Sequence, residues 1–180
     1  MTTTRDIRVV NIVVSSSLEH DIPLEKMAAT LSNTEYNPEQ FPGLVIRIKE
    51  PKTSALIFSS GKIVCTGART LEKVEESVQQ IIESLKKIGI KITIKPVIKV
   101  QNIVASGSIG MDLNLNTLAM KLENTEYEPE QFPGLVYKLM EAKATFLLFS
   151  NGKVVCTGTK SEAEVHKALD MLIANLKKVK

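Results

Sequence analysis

The feature that most constrains this chain is an internal duplication. Thirteen residues at positions 33–45 (NTEYNPEQFPGLV) recur at positions 124–136 (NTEYEPEQFPGLV), and the only difference is Asn37 against Glu128. The same offset of 91 residues relates two further motifs, VxNIVxS from Val9 and Val100 and GKxVCTG from Gly61 and Gly152. A unit that fills half the chain and occurs twice predicts a duplicated domain, because an open solenoid needs three or more shorter units to close its core. We therefore expect two similar halves, residues 1–90 and 91–180, related by an approximate two-fold axis.

The composition is that of a globular protein. Of the 180 residues, 43% are hydrophobic and 24% are charged, which is enough apolar material for a packed core. No apolar run reaches the roughly 18 residues that a membrane span requires. Residues 1–8 lack the apolar segment of a signal peptide. We therefore expect a cytoplasmic protein.

The net charge of +3 is mild for a protein that binds nucleic acid. Residues 1–90 carry 11 Lys and Arg against 11 Asp and Glu, and residues 91–180 carry 12 against 9. Non-specific DNA-binding proteins usually have a strong basic surplus. If the ligand is DNA, the positions of the basic residues must matter more than their total.

The sequence pattern of each half predicts the same order of elements: a strand, a helix, four strands and a second helix. A β-branched run at residues 7–15 is followed by Asp21, which has the character of a helix N-cap, and Asp112 takes the same place in the second half. Strand-like runs follow at residues 44–50, 53–59 and 62–66, and the turn Ser60-Gly61 joins the last two as a hairpin.

The second helix of each half has a clear start, because Thr70 and Ser161 stand where an N-cap is needed. Two such halves would share one sheet of about ten strands, a size at which twisted sheets curl. The expected fold class is therefore α+β, with two tandem repeats forming one curved antiparallel sheet and four helices on its convex face.

One face of the predicted sheet is left without cover. The helices can cover one side only, yet alternate positions on both sides of the strands are apolar. In residues 62–66, Ile63 and Cys65 point one way, and Lys62, Val64 and Thr66 point the other. An exposed apolar patch of this size usually marks a binding surface. A homodimer interface, or a face covered by loops, would explain the same pattern.

The aromatic residues favour a binding surface. The chain has five Phe and no Trp, and four of the Phe form two matching pairs, each 17 residues apart: Phe41 with Phe58, and Phe132 with Phe149. These four stand at a Pro-Gly loop and at a strand end, whereas Phe146 is expected in the core. Two matching patches suit a ligand that itself has approximate two-fold symmetry, and duplex DNA is one such ligand.

The sequence offers no duplicated catalytic or metal site. Cys65 and Cys156 are repeat mates on matching strands, where a thiol is most often a small buried apolar residue rather than part of a disulfide or metal site. His20 and His166 have no counterpart in the other half. The Gly-Lys pairs of the hairpins do not complete a phosphate-binding loop, because an aliphatic residue follows each lysine. We expect no catalytic residue, no cofactor and no metal.

Four motifs, each present twice, give the chain a specific resemblance. PEQFPGLV and the NIV strand recur unchanged, whereas the strand Leu56-Ile57-Phe58 recurs as Leu147-Leu148-Phe149 and the hairpin SSGKIVCTG recurs as SNGKVVCTG. On these motifs the chain resembles the TATA-box-binding proteins over essentially its whole length, and its very similar halves indicate the archaeal type. The resemblance implies a general transcription initiation factor in which a saddle-shaped sheet enters the minor groove of a TATA box and bends the DNA.

The resemblance also implies the residues that contact DNA. Four side chains would be inserted at base steps: Phe41, Phe58, Phe132 and Phe149. Asn11 and Asn102 would donate hydrogen bonds to base acceptors, and Thr66 and Thr157 would lie beside them. Aliphatic side chains would contact the groove floor: Val13, Val104, Val64, Val155, Leu56 and Leu147. Because G·C pairs add an amino donor to the minor groove, such a surface should prefer A·T tracts.

Phosphate contacts and a protein partner are likewise implied by the resemblance. Six basic residues would position the duplex without reading its sequence: Arg47, Lys138, Lys62, Lys153, Arg69 and Lys160. Glu128, Glu130 and Gln131 match the loop that binds the archaeal counterpart of transcription factor IIB. Binding of this factor is expected to precede assembly with RNA polymerase in the pre-initiation complex. Since Glu128 is the one change within the repeated block, we expect the second half to bind this factor more strongly.

Two other classes of function fit an uncovered sheet. An RNA-binding platform stacks bases on mid-strand aromatic residues, but here Val, Asn and Thr occupy those positions. A sheet that pairs protein subunits would bind neither DNA nor RNA, and free copies of this protein could pair as a homodimer through the same face. No membrane partner is expected.

Overall fold

The computed structural model describes residues 6–179, which form ten strands and four α-helices. The strands are β1 (Asp6–Ser17), β2 (Thr34–Glu35), β3 (Leu44–Ile48), β4 (Thr53–Ile57), β5 (Lys62–Ala68), β6 (Lys99–Ser108), β7 (Thr125–Glu126), β8 (Leu135–Leu139), β9 (Ala144–Leu148) and β10 (Lys153–Thr159). The helices are α1 (Leu24–Thr30), α2 (Leu71–Lys87), α3 (Leu115–Lys121) and α4 (Glu162–Lys178). A single 3-10 turn, Met140–Ala142, separates β8 from β9. Every α-helix and strand of the first repeat recurs 91 residues later, except that β6 begins slightly late.

Across residues 6–179 the strands form one sheet in the order β2-β3-β4-β5-β1-β6-β10-β9-β8-β7. The order is symmetric, because each strand and its repeat mate stand at equal distances from the two ends. Within each repeat the paired strands run antiparallel. The predicted fold class, two tandem repeats that build a ten-stranded antiparallel sheet with four helices, is confirmed.

The chain packs as two compact units that nearly coincide with the repeats. The first-repeat unit is Asn11–Gln101, and the second-repeat unit is residues 102–179 together with residues 6–10. Ile7 accordingly packs against the core of the second-repeat unit. The boundary predicted at residues 90 and 91 falls in the segment between α2 and β6. Residues 1–5 and 180 of the predicted domains lie outside the described residues.

In the first-repeat unit one face of the strands forms the core. Leu44, Ile46 and Ile48 of β3 are at most 6% exposed, whereas Val45 between them is half-buried and Arg47 is exposed. This is the alternation that the pleat of a strand imposes. Helix α2 lies against β5 and buries four aliphatic side chains: Val74, Val78, Ile81 and Leu85.

The second-repeat unit has an equivalent core, in which α4 packs on the buried strand face. Phe146 of β9 is fully buried, as its sequence position predicts. The amide of Asn175 donates to the hydroxyl oxygen of buried Tyr137 at 2.9 Å. That bond leaves the Tyr137 oxygen with a partner inside the protein.

The two long helices begin at the predicted caps. Thr70 Oγ1 accepts a hydrogen bond from the N–H of Lys73 at 3.2 Å, and Ser161 Oγ accepts one from the N–H of Glu164 at 3.1 Å. Each bond satisfies a donor of the first turn that has no partner within the helix.

The two short helices begin later than predicted. Pro23 precedes α1 without a side-chain cap, and Asn114 caps α3, so the predictions of Asp21 and Asp112 as N-caps are wrong. The reason is a tertiary contact, because the N–H of Ile22 bonds to the carbonyl of Ser59. The second repeat has the equivalent hydrogen bond. In each repeat this bond holds the chain against the hairpin turn, so the helix begins only after it.

Candidate nucleic-acid interface

In each unit, the strand face opposite the core is partly open to solvent. The half-buried side chains on this face of the first-repeat unit include Asn11, Val13, Val45, Leu56, Val64 and Thr66. Those of the second-repeat unit include Asn102, Val104, Val136, Leu147, Val155 and Thr157. We call each set the open face of its unit. Neighbours that point to the other side, such as Ile63 and Cys65, are buried.

Cross-strand register joins the aliphatic members of each open face into a row. Val45 stands opposite Leu56, and Leu56 stands opposite Val64. Paired side chains on one face of a sheet contact each other. The second-repeat unit repeats the row with Val136, Leu147 and Val155.

Val45 and Val136 belong to these rows, although the site predicted from the sequence did not include them. The signal was present in the alternation of β3 and β8, in which each of these Val residues lies between two buried residues.

Two Phe rings continue each row. Phe58 lies two residues beyond Leu56 and packs edge to face with Phe41, with ring centroids 5.9 Å apart and planes at 65°. The rings of Phe132 and Phe149 are also 5.9 Å apart, at 70°. Phe41 and Phe132 are each 42% exposed. The structure thus brings together the rings that the sequence paired, and it places them at the solvent-facing surface.

A glycine beneath each ring pair determines where the rings can lie. A Cβ atom at Gly43 would stand 2.7 Å from Cε2 of Phe41 and 3.1 Å from Cε1 of Phe58. A Cβ at Gly134 would stand 2.7 Å and 3.0 Å from the equivalent atoms of its own pair. Only glycine therefore allows the rings to rest directly on the backbone. The Pro-Gly element of the repeated block is what positions the rings.

A β-bulge in each unit distorts the ladder next to the open-face Asn. Ile12 pairs with Ala68 but Val14 pairs with Cys65, so β5 has one extra residue and Gly67 lies in the bulge with φ of +102°. The same irregularity between β6 and β10 gives Gly158 a φ of +95°.

Hydrogen bonds with the bulge hold both ends of the Asn carboxamide. Asn11 Nδ2 donates to Thr66 Oγ1 at 2.9 Å, and the N–H of Gly67 donates to Asn11 Oδ1 at 2.6 Å. In the second-repeat unit, the corresponding distances are 2.9 Å from Asn102 to Thr157 and 2.7 Å from Gly158 to Asn102. The Asn and Thr residues predicted to work side by side are therefore in contact.

The basic residues assigned to phosphates are exposed. They are Arg47, Lys62, Arg69, Lys138, Lys153 and Lys160. Arg47 Nη2 lies 3.2 Å from Glu35 Oε2, and both side chains are more than half exposed. Such a pair contributes about 0–1 kcal/mol, so Arg47 can exchange this carboxylate for a phosphate at little cost.

The loop that precedes Phe132 is a tight turn with exposed acidic side chains. The N–H groups of Gln131 and Phe132 both donate to the carbonyl of Glu128 at 3.0 Å. The side chains of Glu128, Glu130 and Gln131 are exposed. The residues assigned to a protein partner thus form one surface beside the ring pair.

Metal binding, thiol chemistry and membrane insertion each set requirements on the described residues. Residues 6–179 contain no cluster of three or more His, Cys, Asp or Glu side chains that could hold a metal. Cys65 and Cys156 are free buried thiols, and burial raises the pKa of each to about 11. None of the helices in this range combines the length and apolar character needed to cross a membrane.

Comparison with known proteins gives consistent matches over nearly the whole chain. A family model described as "Transcription factor TFIID (or TATA-binding protein, TBP)" matches residues 6–88 and again residues 97–179. The TATA-box-binding protein of Thermococcus kodakarensis is 49% identical over 172 residues, which are 96% of this chain and 90% of that protein. The TATA-box-binding protein of Picrophilus torridus is 51% identical over 175 residues, which are 96% and 95% of the two chains.

The fold agrees with the same group of proteins. The solved structure described as "Methanococcus jannaschii TBP" superposes with a TM-score of 0.91 at 49% sequence identity. The match covers 97% of this chain and 99% of that chain.

Proposed function

This chain belongs to the TATA-binding protein family, and on that premise we propose that it binds the TATA box of promoters as a general transcription initiation factor of the archaeal type. Its relatives are DNA-binding transcription factors rather than enzymes. The observation that carries the proposal is the open face of each unit. There a row of aliphatic side chains runs from a ring pair, and a polar Asn that is held by the bulge stands on the same face.

The open face suits the minor groove of A·T-rich DNA. Aliphatic side chains such as Leu56 and Val64 would pack flat on the groove floor, where a guanine amino group would be crowded and left without a partner. Val13 and Val104 add to this apolar surface in the two units. Recognition of this kind favours A·T pairs and reads the orientation of the site poorly.

The ring pairs would bend the DNA. A rigid aromatic side chain inserted at a base step replaces stacking that the step loses, and unstacking costs a few kcal/mol, least at flexible TA-type steps. Phe58 and Phe149 stand at strand ends, and each is braced by a second ring at 5.9 Å. Insertion therefore requires no large rearrangement of the protein.

The exposed basic residues would hold the two phosphate backbones. Each phosphate neutralised by a Lys or Arg releases counterions, so the logarithm of affinity falls with the logarithm of salt concentration by about 0.9 per contact. With six candidate cations among the described residues, we expect a slope of up to about −5. These contacts strengthen binding without selecting sequence.

The acidic loop of the second-repeat unit would recruit the archaeal counterpart of transcription factor IIB. Glu128, Glu130 and Gln131 are exposed there, and basic surfaces of the factor could pair with the carboxylates. RNA polymerase would then join the complex. Replacing Glu128 with Arg should weaken the ternary complex on promoter DNA. The matched variant Asn37→Arg, at the equivalent place in the first-repeat unit, should leave it intact, and equal effects of the two changes would contradict this role.

Without DNA, the open faces would expose apolar surface to water. We propose that free copies can pair as a homodimer through these faces and that DNA competes with this pairing. In the cell the protein would associate with the nucleoid.

The proposed function is tested by comparing three ligands under one salt condition. They are a duplex with a TATA box, the same duplex with G·C pairs substituted in the box, and single-stranded RNA of equal length. We expect tight binding of the first duplex, with bending detected by energy transfer between dyes at its ends. Preference for RNA would favour a base-stacking platform, and failure to bind any of the three would favour a module for subunit pairing.

A further inference from the structure

The carboxamide of an open-face Asn has two ends of equal shape and opposite chemistry. The NH₂ end donates hydrogen bonds and the oxygen accepts them. An Asn that turns its NH₂ end to the groove floor matches the acceptors of an A·T pair, whereas one that turns its oxygen outward would match the amino group of guanine. Base preference therefore depends on what holds the carboxamide in one orientation.

Of the two groups that hold Asn11, only one distinguishes its ends. The Thr66 hydroxyl can donate or accept, so it would satisfy either orientation. The backbone N–H of Gly67 can only donate, and at 2.6 Å it requires the oxygen of Asn11. The same logic holds in the second-repeat unit, where the N–H of Gly158 lies 2.7 Å from the oxygen of Asn102.

We propose that Gly67 and Gly158 are positioning residues that set base specificity, because their bulge amides hold Asn11 and Asn102 with the NH₂ end outward. This inference rests on the proposed function and names the element that makes the open face selective. One Nδ2 hydrogen of each Asn is used by a Thr oxygen. Within residues 6–179 the other has no acceptor, so it is available to a base.

The bulge amide can occupy this place only because the residue is glycine. The φ angles of +102° and +95° lie in the left-handed region that other L-residues rarely adopt. A Cβ at Gly67 would also stand 3.2 Å from the carbonyl oxygen of Lys52, and one at Gly158 would stand 3.0 Å from that of Lys143. A side chain at either position would therefore shift the bulge and its N–H.

The test is the double variant Gly67→Ala/Gly158→Ala, with Gly89→Ala as a matched control. Gly89 also has a positive φ, +91°, but a Cβ there would meet no atom within 4 Å. The control therefore carries similar backbone strain away from the open faces. Affinity is measured for duplexes with A·T, inosine·C or G·C pairs at each position of the box. Inosine lacks the amino group of guanine, so inosine·C presents only acceptors in the minor groove, as A·T does.

We expect the unmodified protein and the Gly89→Ala variant to bind A·T and inosine·C duplexes about tenfold or more tightly than G·C at the sensitive positions. In the double variant this ratio should fall to less than about threefold, because a carboxamide that is free to turn can accept from guanine. An unchanged ratio in the folded double variant would overturn the inference alone. If the unmodified protein shows no preference for A·T over G·C, the proposed function itself fails.

Should the double variant not fold, hydrogen exchange decides the question. The amide protons of Gly67 and Gly158 are followed in the unmodified protein and in Asn11→Ala/Asn102→Ala. We expect slow exchange in the former and exchange at least about tenfold faster in the latter, because the acceptor is gone. Equal rates in the two proteins would show that the Asn oxygens do not hold these amides, and the inference would be overturned.

Discussion

Two Phe residues that are close together in sequence are expected to have different roles. Phe146 should stabilise the fold, and Phe149 should contribute to the deformation of DNA. Phe146 is fully buried, whereas Phe149 is half-buried beside the exposed ring of Phe132. Truncating a fully buried Phe to Ala costs about 3–5 kcal/mol. In a chain of this size each kcal/mol lowers the melting temperature by about 2–4 °C, so Phe146→Ala should melt roughly 6–20 °C lower.

Phe149→Ala should have the opposite balance of effects. Its edge-to-face contact with Phe132 contributes about 0.5–1.5 kcal/mol beyond area burial, so the loss of stability should be clearly smaller than for Phe146→Ala. On DNA, the unstacking cost of a few kcal/mol would no longer be offset at one base step. Since 1.4 kcal/mol is a factor of ten, affinity for the TATA duplex should fall at least about tenfold, and the bend should decrease.

The assay combines three measurements on both variants. Thermal unfolding by circular dichroism gives stability, fluorescence anisotropy gives affinity, and energy transfer between end labels gives the bend. Below its melting temperature Phe146→Ala should bend DNA as the unmodified protein does. The reasoning is refuted if Phe149→Ala melts as early as Phe146→Ala and still bends DNA fully, because that ring would then belong to the core. Phe58→Ala should behave as Phe149→Ala does.

Three further predictions address other parts of the molecule. Gly134→Ala should reduce the bend with little loss of fold, because its Cβ would displace the ring pair above it; an unaltered bend would show that the rings tolerate displacement. Cys65 and Cys156 should make stability fall between pH 9.0 and about 11, because burial raises the pKa of each thiol to about 11 and the unfolded thiols ionise first. The free energy of unfolding should fall by about 1.4 kcal/mol per pH unit for each thiol. Urea unfolding at pH about 8 and about 10 measures this fall, which should be smaller in the variant that has both Cys residues replaced by Ala. Gly107→Ala should destabilise the protein by roughly 1–3 kcal/mol in the same assay, because its Cβ would overlap the backbone of Asp6; equal stability would mean that β1 can move aside.

Much of the fold could be predicted from local patterns. The buried positions Leu44, Ile46 and Ile48 alternate along β3, so their spacing alone identifies the core face. Repetition at a constant offset then extends each such assignment to the second half. Asp21 shows where local signals fail, because a hydrogen bond from the next residue to Ser59 holds this segment against the hairpin turn and delays the helix.

The sequence by itself determined which side chains stand on the open face, because period-two alternation and the repeat place Asn11 and Val13 there whatever else the chain does. Only the tertiary structure decided how Asn11 is turned. Its orientation depends on a register shift between two strands and on the backbone N–H of Gly67, 56 residues away. A backbone amide carries no side chain that a pattern could reveal, so its direction is known only when the strands are paired.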